Sequence, residues 1–200
     1  MPRANLSTPV VISAAAELAD EVGFEVATLS AVARRLNVQT ASLYNHVRDR
    51  AELLAGLHEL ALTELADRIA DAVAGKAGRA ALVGLAEAQR TFAHEHPGRW
   101  AALQQPASAT TAASPGAVRV ATLTLAVLRA YDVPEVELVH VVRFVGATVN
   151  GFLALERSGG FAHRAPSTEA SWQRTLAALD AIVRAWPADL PDHENDGAPA

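Results

Sequence analysis

The 200-residue chain contains no cysteine, which excludes disulfides, thiolate metal sites and a cysteine nucleophile. Aromatic residues make up only 5% of it. With alanine, leucine and glutamate abundant, that scarcity favours helices over strands. The first residues, Met1-Pro2-Arg3-Ala4-Asn5-Leu6, lack the long apolar stretch of a secretory signal. No apolar run is expected to reach the roughly 18 residues of a membrane span, because the best candidate, residues 133–155, is broken by Glu, His, Arg and Asn. What remains is apolar enough for a substantial core, half hydrophobic and one fifth charged. A soluble cytoplasmic protein with no membrane partner is the expectation.

An excess of positive charge is also missing, since the formal net charge is −5. Its distribution matters more than its sum. The segment 187–200 carries Asp189, Asp192, Glu194 and Asp196 and no Lys or Arg. Without those four carboxylates the formal charge is −1. Residues 29–50 hold Arg34, Arg35, Arg48 and Arg50 against Asp49 alone, a local +3. The one basic region therefore lies in "VARRLNVQTASLYNHVRDRAELL", which is also where the polar side chains concentrate.

Apolar spacing predicts a first helix from Thr8, with Val11, Ala14, Ala15, Leu18, Ala19 and Val22 on one face. Thr8 is its expected N-cap, Pro9 its first residue and Gly23 its stop. Thr28 caps a short helix over 29–36, and a third runs from Gln39 or Thr40 to His46 and buries Leu43. Asp49-Arg50-Ala51-Glu52 reads as a capping box opening a fourth helix to about Ala74. Further helices are expected at 79–95, 117–131, 134–158 and 167–186, with a short turn or helix at 100–104. The small-residue segment 106–116 reads as a mobile loop and 187–200 as a disordered acidic tail. No repeat and no strand emerges, so the fold class is all-α: a compact N-terminal unit of about 50 residues and a larger helical body.

Helices two and three have what a helix-turn-helix needs. Ala33 is small where the helices cross, and Asn37 tolerates a left-handed turn. Val32, Leu36, Val38 and Leu43 lock the angle. Short helix pairs are common in helical proteins, and Leu43 is core whatever the function, while Tyr44 alone could be a packing residue. The outward residues favour DNA. Gln39, Thr40, Ser42 and Asn45 can hydrogen-bond base edges or phosphates, and Ala41 suits a thymine methyl. Tyr44, His46, Arg48 and Arg50 can reach phosphate oxygens.

The run "TLSAVARRLNVQTASLYNHVRDRAELL" resembles the N-terminal domain of the tetracycline-repressor (TetR/AcrR) family of transcriptional regulators. Thr28, Leu43-Tyr44, His46, Arg48-Asp49-Arg50 and Leu53-Leu54 match its pattern in order and spacing, and the likeness covers about residues 8–60. Asn37 stands where glycine is common, Gln39 where a serine-like cap is frequent, and Val47 where phenylalanine is frequent. The resemblance implies a helix-turn-helix domain over 8–53 and a ligand-binding and dimerisation domain over 54–186. It also implies a homodimer that sets its third helices in successive major grooves of a palindromic, double-stranded operator. The implied DNA-facing set is Thr28, Gln39, Thr40, Ala41, Ser42, Tyr44, Asn45, His46, Arg48 and Arg50.

The body offers no catalytic constellation. His94 and His96 fall on different faces of a helix, which argues against a metal site; neither a metal nor a cofactor is expected. "VVRFVGATVNGFLALERSGGF" is apolar on more than one side, and Gly146, Ala147 and Gly151 allow a close approach. Packing inside its own subunit and against a second copy is the expected reason, with a purely internal core helix as the alternative. This segment resembles the family's Trp-His-Gly type of C-terminal domain, although Val149-Asn150 replaces the Trp-His pair. Gly151, Glu156 and Phe161 keep the pattern. The family's logic is that a small ligand enters the body and shifts the fourth helix. Phe92, Trp100, Gln104, Arg143, Phe144, Thr148 and Asn150 are the pocket candidates, and few charges among them point to a mostly apolar effector. The sequence thus predicts a ligand-responsive repressor rather than an enzyme; the alternative is a helical interaction protein that keeps the helix-turn-helix as a scaffold.

Overall fold

The computed structural model describes residues 6–187, so the expected disordered tail, apart from Pro187, lies outside the described residues. All regular structure among them is helical. The α-helices are α1 (Thr8–Val22), α2 (Leu29–Arg35), α3 (Thr40–Leu43), α4 (Arg50–Val73), α5 (Gly78–Glu95), α6 (Pro97–Leu103), α7 (Ala109–Ala112), α8 (Pro115–Leu128), α9 (Leu138–Arg157) and α10 (Thr168–Arg184). The chain forms two compact units, one ending at Ala126 and the other beginning at Val127, inside α8.

In the first unit α1 is the central strut, packed against α2, α4 and α6. Its apolar stripe of Val11, Ile12, Ala15 and Ala19 joins Phe24, Val32, Ala33, Leu43, Val47, Leu53 and Leu57 in one core. The helix begins one residue earlier than its spacing predicts: Ser7 is the N-cap and Pro9 lies in the first turn. Thr8 is diverted from capping because its hydroxyl donates to the His46 carbonyl at 3.0 Å. Gly23 ends the helix at φ 104°, a backbone state open to glycine and strained for other residues.

A polar network joins α1, α4 and α6 beneath this core. The Asp20 carboxylate accepts from the backbone N–H groups of Gly98 and Arg99, both at 2.9 Å, and from the Arg99 guanidinium. It lies 3.1 Å from His96 Nδ1. Arg99 Nε is 3.1 Å from Glu64 Oε2, at ion-pair distance but without hydrogen-bond alignment. Arg68 reaches His96 Nε2 at 2.8 Å and lies over the Phe92 ring. The segment read as a loop contains a short helix: Ser108 caps α7 by accepting from Thr111 N at 3.0 Å, and Thr111 and Ser114 are buried. Small residues looked loop-like only because the cap and its tertiary contacts are not visible in composition.

In the second unit α9 packs on α10 and on the 3-10 turn Glu135–Glu137. Val141, Val145, Val149 and Phe152 are buried, as are Trp172, Leu176, Leu179 and Val183. Phe152 meets both Phe161 and Trp172 with ring centroids 4.9 Å apart. Tyr131 donates to Asp180 at 2.8 Å, and Trp186 Nε1 donates to Glu137 at 3.0 Å. Contrary to the sequence expectation, the helical stretch Glu135–Arg157 is long and apolar enough to cross a membrane by length and composition, with an 18-residue window of mean hydropathy 1.6. Its interruptions are too few to lower the average, and His140, Arg143 and Asn150 share one face at helical spacing.

Candidate nucleic-acid interface

The bend is built from local sequence. Thr28 caps α2 by accepting from Ala31 N at 3.2 Å. At the other end Asn37 sits at φ 55°. Val38 N donates to Ala33 O at 3.0 Å and Asn37 N to Arg34 O at 3.2 Å, which is the Schellman pairing with asparagine in the usual glycine place. Ala33 is 1% exposed and Val32 and Leu43 are 0%, so the crossing is closed on its inner side. Leu36 and Val38 pack at its edge. Replacing Asn37 with Val should cost about 1–2 kcal/mol, whereas Asn37→Gly should be neutral or stabilising. Chemical denaturation of the two variants measures the difference.

The third helix is shorter than its spacing predicts. It covers only Thr40–Leu43, because past Leu43 the bonding tightens: His46 N and Val47 N both donate to Leu43 O. Gln39 N-caps the helix with extended backbone but without a side-chain cap bond. At the start of α4, Asp49 accepts from Glu52 N at 2.8 Å. The return half of the box lands one residue early, since Glu52 accepts from Arg48 N at 2.6 Å instead of from Asp49 N. That backbone bond, followed by the Arg48 guanidinium, holds the Glu52 carboxyl below its ordinary pKa.

Nine of the ten predicted DNA-facing residues fall within the stretch 39–50. Gln39, Ala41, Tyr44, Asn45, Arg48 and Arg50 are exposed, and Thr40, Ser42 and His46 are half-buried. Tyr44 is 55% exposed, so it is not a packing residue. Thr28 stands apart, half-buried with its hydroxyl committed to the cap. The positive charge is less free than its sequence count. Arg35 turns back onto α1, 2.7 Å from Glu21 and 3.0 Å from Glu17. Arg48 is 3.1 Å from Glu52, and Arg50 is 3.6 Å from Glu25. The i, i+4 spacing signals the Arg48 pair; nothing local signals that Glu25 holds Arg50.

The pocket candidates fall in both units. In the first unit Phe92 and Trp100 are buried in the core and Gln104 is exposed. In the second, Arg143 is exposed, while Phe144, Thr148 and Asn150 are half-buried. Phe144 stacks on Trp186 at 5.6 Å, and Thr148 donates to its carbonyl at 2.8 Å. Two cavities flank the first turns of α4. One, of about 470 Å³, includes Phe24, Arg50, Leu54, His58, Ala102 and Thr111 in its walls. The other, of about 530 Å³, includes Ile12, Asp49, Ala55, Gly56, Ser108 and Thr111. None of the seven candidates lines either. His58, absent from the sequence-based set, is 8% exposed, and burial pulls its imidazole below the ordinary histidine pKa.

Comparison with known proteins agrees with this architecture. Residues 11–57 match the model of the tetR family of bacterial regulatory proteins. Residues 82–179 match that of the tetracyclin repressor-like C-terminal domain. The uncharacterized HTH-type transcriptional regulator YobS of Bacillus subtilis is 39% identical over 101 residues, covering 50% of this chain and 53% of that protein. The match therefore spans about half of that relative's length. The uncharacterized HTH-type transcriptional regulator Rv0681 of Mycobacterium tuberculosis is 29% identical over 161 residues, 78% of this chain and 72% of that one. The structure of a TetR variant from Acinetobacter baumannii in complex with minocycline superposes with a TM-score of 0.65 at 23% identity, covering 91% of this chain and 97% of that one. An exposed polar bend near the N-terminus, helices through the rest of the described residues, and family matches to both regions lead to one conclusion: this chain belongs to the TetR family of transcriptional regulators.

Proposed function

We propose that the chain is a homodimeric, ligand-responsive repressor that binds a palindromic operator. Residues 8–53 serve as the DNA-binding domain and residues 54–186 as the ligand-binding and dimerisation domain. The carrying observation is the exposed row Gln39, Ala41, Tyr44, Asn45, Arg48 and Arg50 on a bend whose inner face is closed. In this reading Gln39, Thr40, Ala41, Ser42 and Asn45 meet base edges, and Tyr44, His46, Arg48 and Arg50 hold phosphates. Thr28 contributes by fixing the start of α2. Phosphates replace Glu25 and Glu52 as partners of the two arginines, an exchange that costs little between exposed groups.

The dimer reading rests on α9 and α10. A Cβ built on Gly146 or Gly151 meets nothing within 4 Å among the described residues, so the close approach those glycines permit is not used there. Ala147, Ala154 and Leu155 on α9 and Ala177, Ala178, Ala181 and Ile182 on α10 are exposed. Two helices from each copy would close this face as a four-helix interface. Minocycline in the related Acinetobacter structure supports a small effector for this chain by family logic, and operator and effector would weaken each other's binding reciprocally.

The test is titration of the protein against the DNA upstream of its own gene over a range of salt. Affinity should fall steeply with salt, and Arg48→Ala and Arg50→Ala should each reduce the log–log slope by about 1. Tyr44→Ala should weaken binding without changing that slope. Binding unchanged by Tyr44→Ala and Arg50→Ala sinks the groove reading.

A further inference from the structure

Arg50, Ala51, Leu54, Ala55 and His58 recur at helical spacing and form one wall of the 470 Å³ cavity. The opposite walls come from Phe24 and Glu25 in the 3-10 turn before α2, from Ala102 in α6 and Gln105 and Pro106 just after it, and from Ser108 and Thr111 around α7. The volume falls within the roughly 300–1,000 Å³ of small-molecule sites. Two groups on its floor are under-used. His58 is more than nine-tenths buried and makes no hydrogen bond among the described residues, while its ring nitrogens are not fully buried and stay open to a ligand in the cavity it lines. Arg50 is held loosely, with Nη2 3.4 Å from the Glu25 carbonyl and 3.6 Å from its carboxylate, which is itself 84% exposed.

We propose that this cavity binds a small amphipathic carboxylate, with its acid at Arg50, its apolar middle over Leu54 and Ala55, and a hydroxyl or carbonyl at His58. The eight residue steps from Arg50 to His58 rise about 12 Å along α4, which sets the length of the ligand. Its carboxylate replaces Glu25 as the acceptor for a guanidinium suited to two parallel bonds. A neutral imidazole offers the far end one donor and one acceptor. The site lies against the first turn of α4, so it regulates by sharing a residue: Arg50 bound to a ligand carboxylate is not available to a phosphate. This last step rests on the phosphate role proposed for Arg50; the cavity itself does not.

The experiment uses the full-length chain and three probes matched in length: 8-hydroxyoctanoate, octanoate and 1-octanol, each titrated by calorimetry with and without upstream DNA. The proposal expects saturable binding in the order 8-hydroxyoctanoate, octanoate, 1-octanol. His58→Leu should abolish the advantage of the hydroxyl, and Arg50→Gln the advantage of the acid. Thermal melts identify any variant that fails to fold, and the probe order in the unsubstituted chain then decides alone. Saturating 8-hydroxyoctanoate should weaken DNA binding about tenfold. No saturable binding of any probe, or a probe order unchanged in both folded variants, overturns the site. If Arg50→Gln alters the probe order but not DNA affinity, the phosphate role fails and the competition with it, while the cavity stands. If it alters DNA affinity but no probe binding, the cavity fails and the phosphate role stands.

Discussion

A chain carrying Gly151→Arg should run as a monomer and lose operator binding. Gly151 is exposed on α9, and a Cβ added there meets nothing within 4 Å among the described residues. The substitution is therefore harmless to the isolated fold. In an isologous interface every residue occurs twice, so two guanidiniums would be driven together into a face of alanine, leucine and glycine. Unpaired buried charge costs several kcal/mol, and the dimer dissociation constant should rise at least about a hundredfold. Sedimentation of both forms across concentration reads this directly, and a melting scan separates it from misfolding. Gly151→Ala supplies the control. On a face open to water it should stabilise the helix by about 0.8–1.0 kcal/mol and leave association alone; at a tight interface it should weaken association.

Gly98→Ala should be the most destabilising small substitution in the first unit. Its Cβ would stand 2.5 Å from Asp20 N and closer still to the carbonyl carbon and oxygen of Ala19. Those are backbone atoms in the last turn of α1, and they cannot rotate away. To make room α6 must lift from α1, which also pulls Gly98 N and Arg99 N from the Asp20 carboxylate. A cost at or above the usual range of about 1–3 kcal/mol for overpacking is expected, measured as a lowered Tm and denaturation midpoint. Gly56→Ala makes the comparison sharp. Its Cβ would come as near as 2.5 Å to a neighbour, but that neighbour is the Cδ1 tip of Ile12, which another rotamer can withdraw. Equal losses in the two variants would contradict this account of the α1–α6 contact.

The sequence made the local devices readable and the tertiary ones not. Thr28 as a cap, Asn37 as the left-handed residue and Asp49 as the start of α4 each act within a few residues, and all three appear where spacing put them. Leu43 and Ala33 were equally legible from helical periodicity and are buried as expected. What failed depended on distant partners. Thr8 left its cap for the carbonyl of His46, 38 residues away. Arg35 counted toward the basic region until α1 placed Glu17 and Glu21 beside it. His58 carries no local signal in the fourth helix, and only the fold sets it in the wall of a cavity. The polar and aromatic pocket candidates share a chemical type, yet none lines either cavity beside α4, because composition carries no information about which helices converge.

The most direct test of the central claim is selection of tightly bound sequences from random duplexes by the full-length protein. The face from Gln39 to Arg50 predicts an enriched inverted repeat, with half-site centres separated by about one helical turn or a multiple of it. It also predicts that Thr40→Ala or Asn45→Ala shifts base preference at fixed positions, while Arg48→Ala weakens all sequences alike. Enrichment of no sequence, or of a sequence whose binding is indifferent to every change between residues 39 and 50, would contradict it.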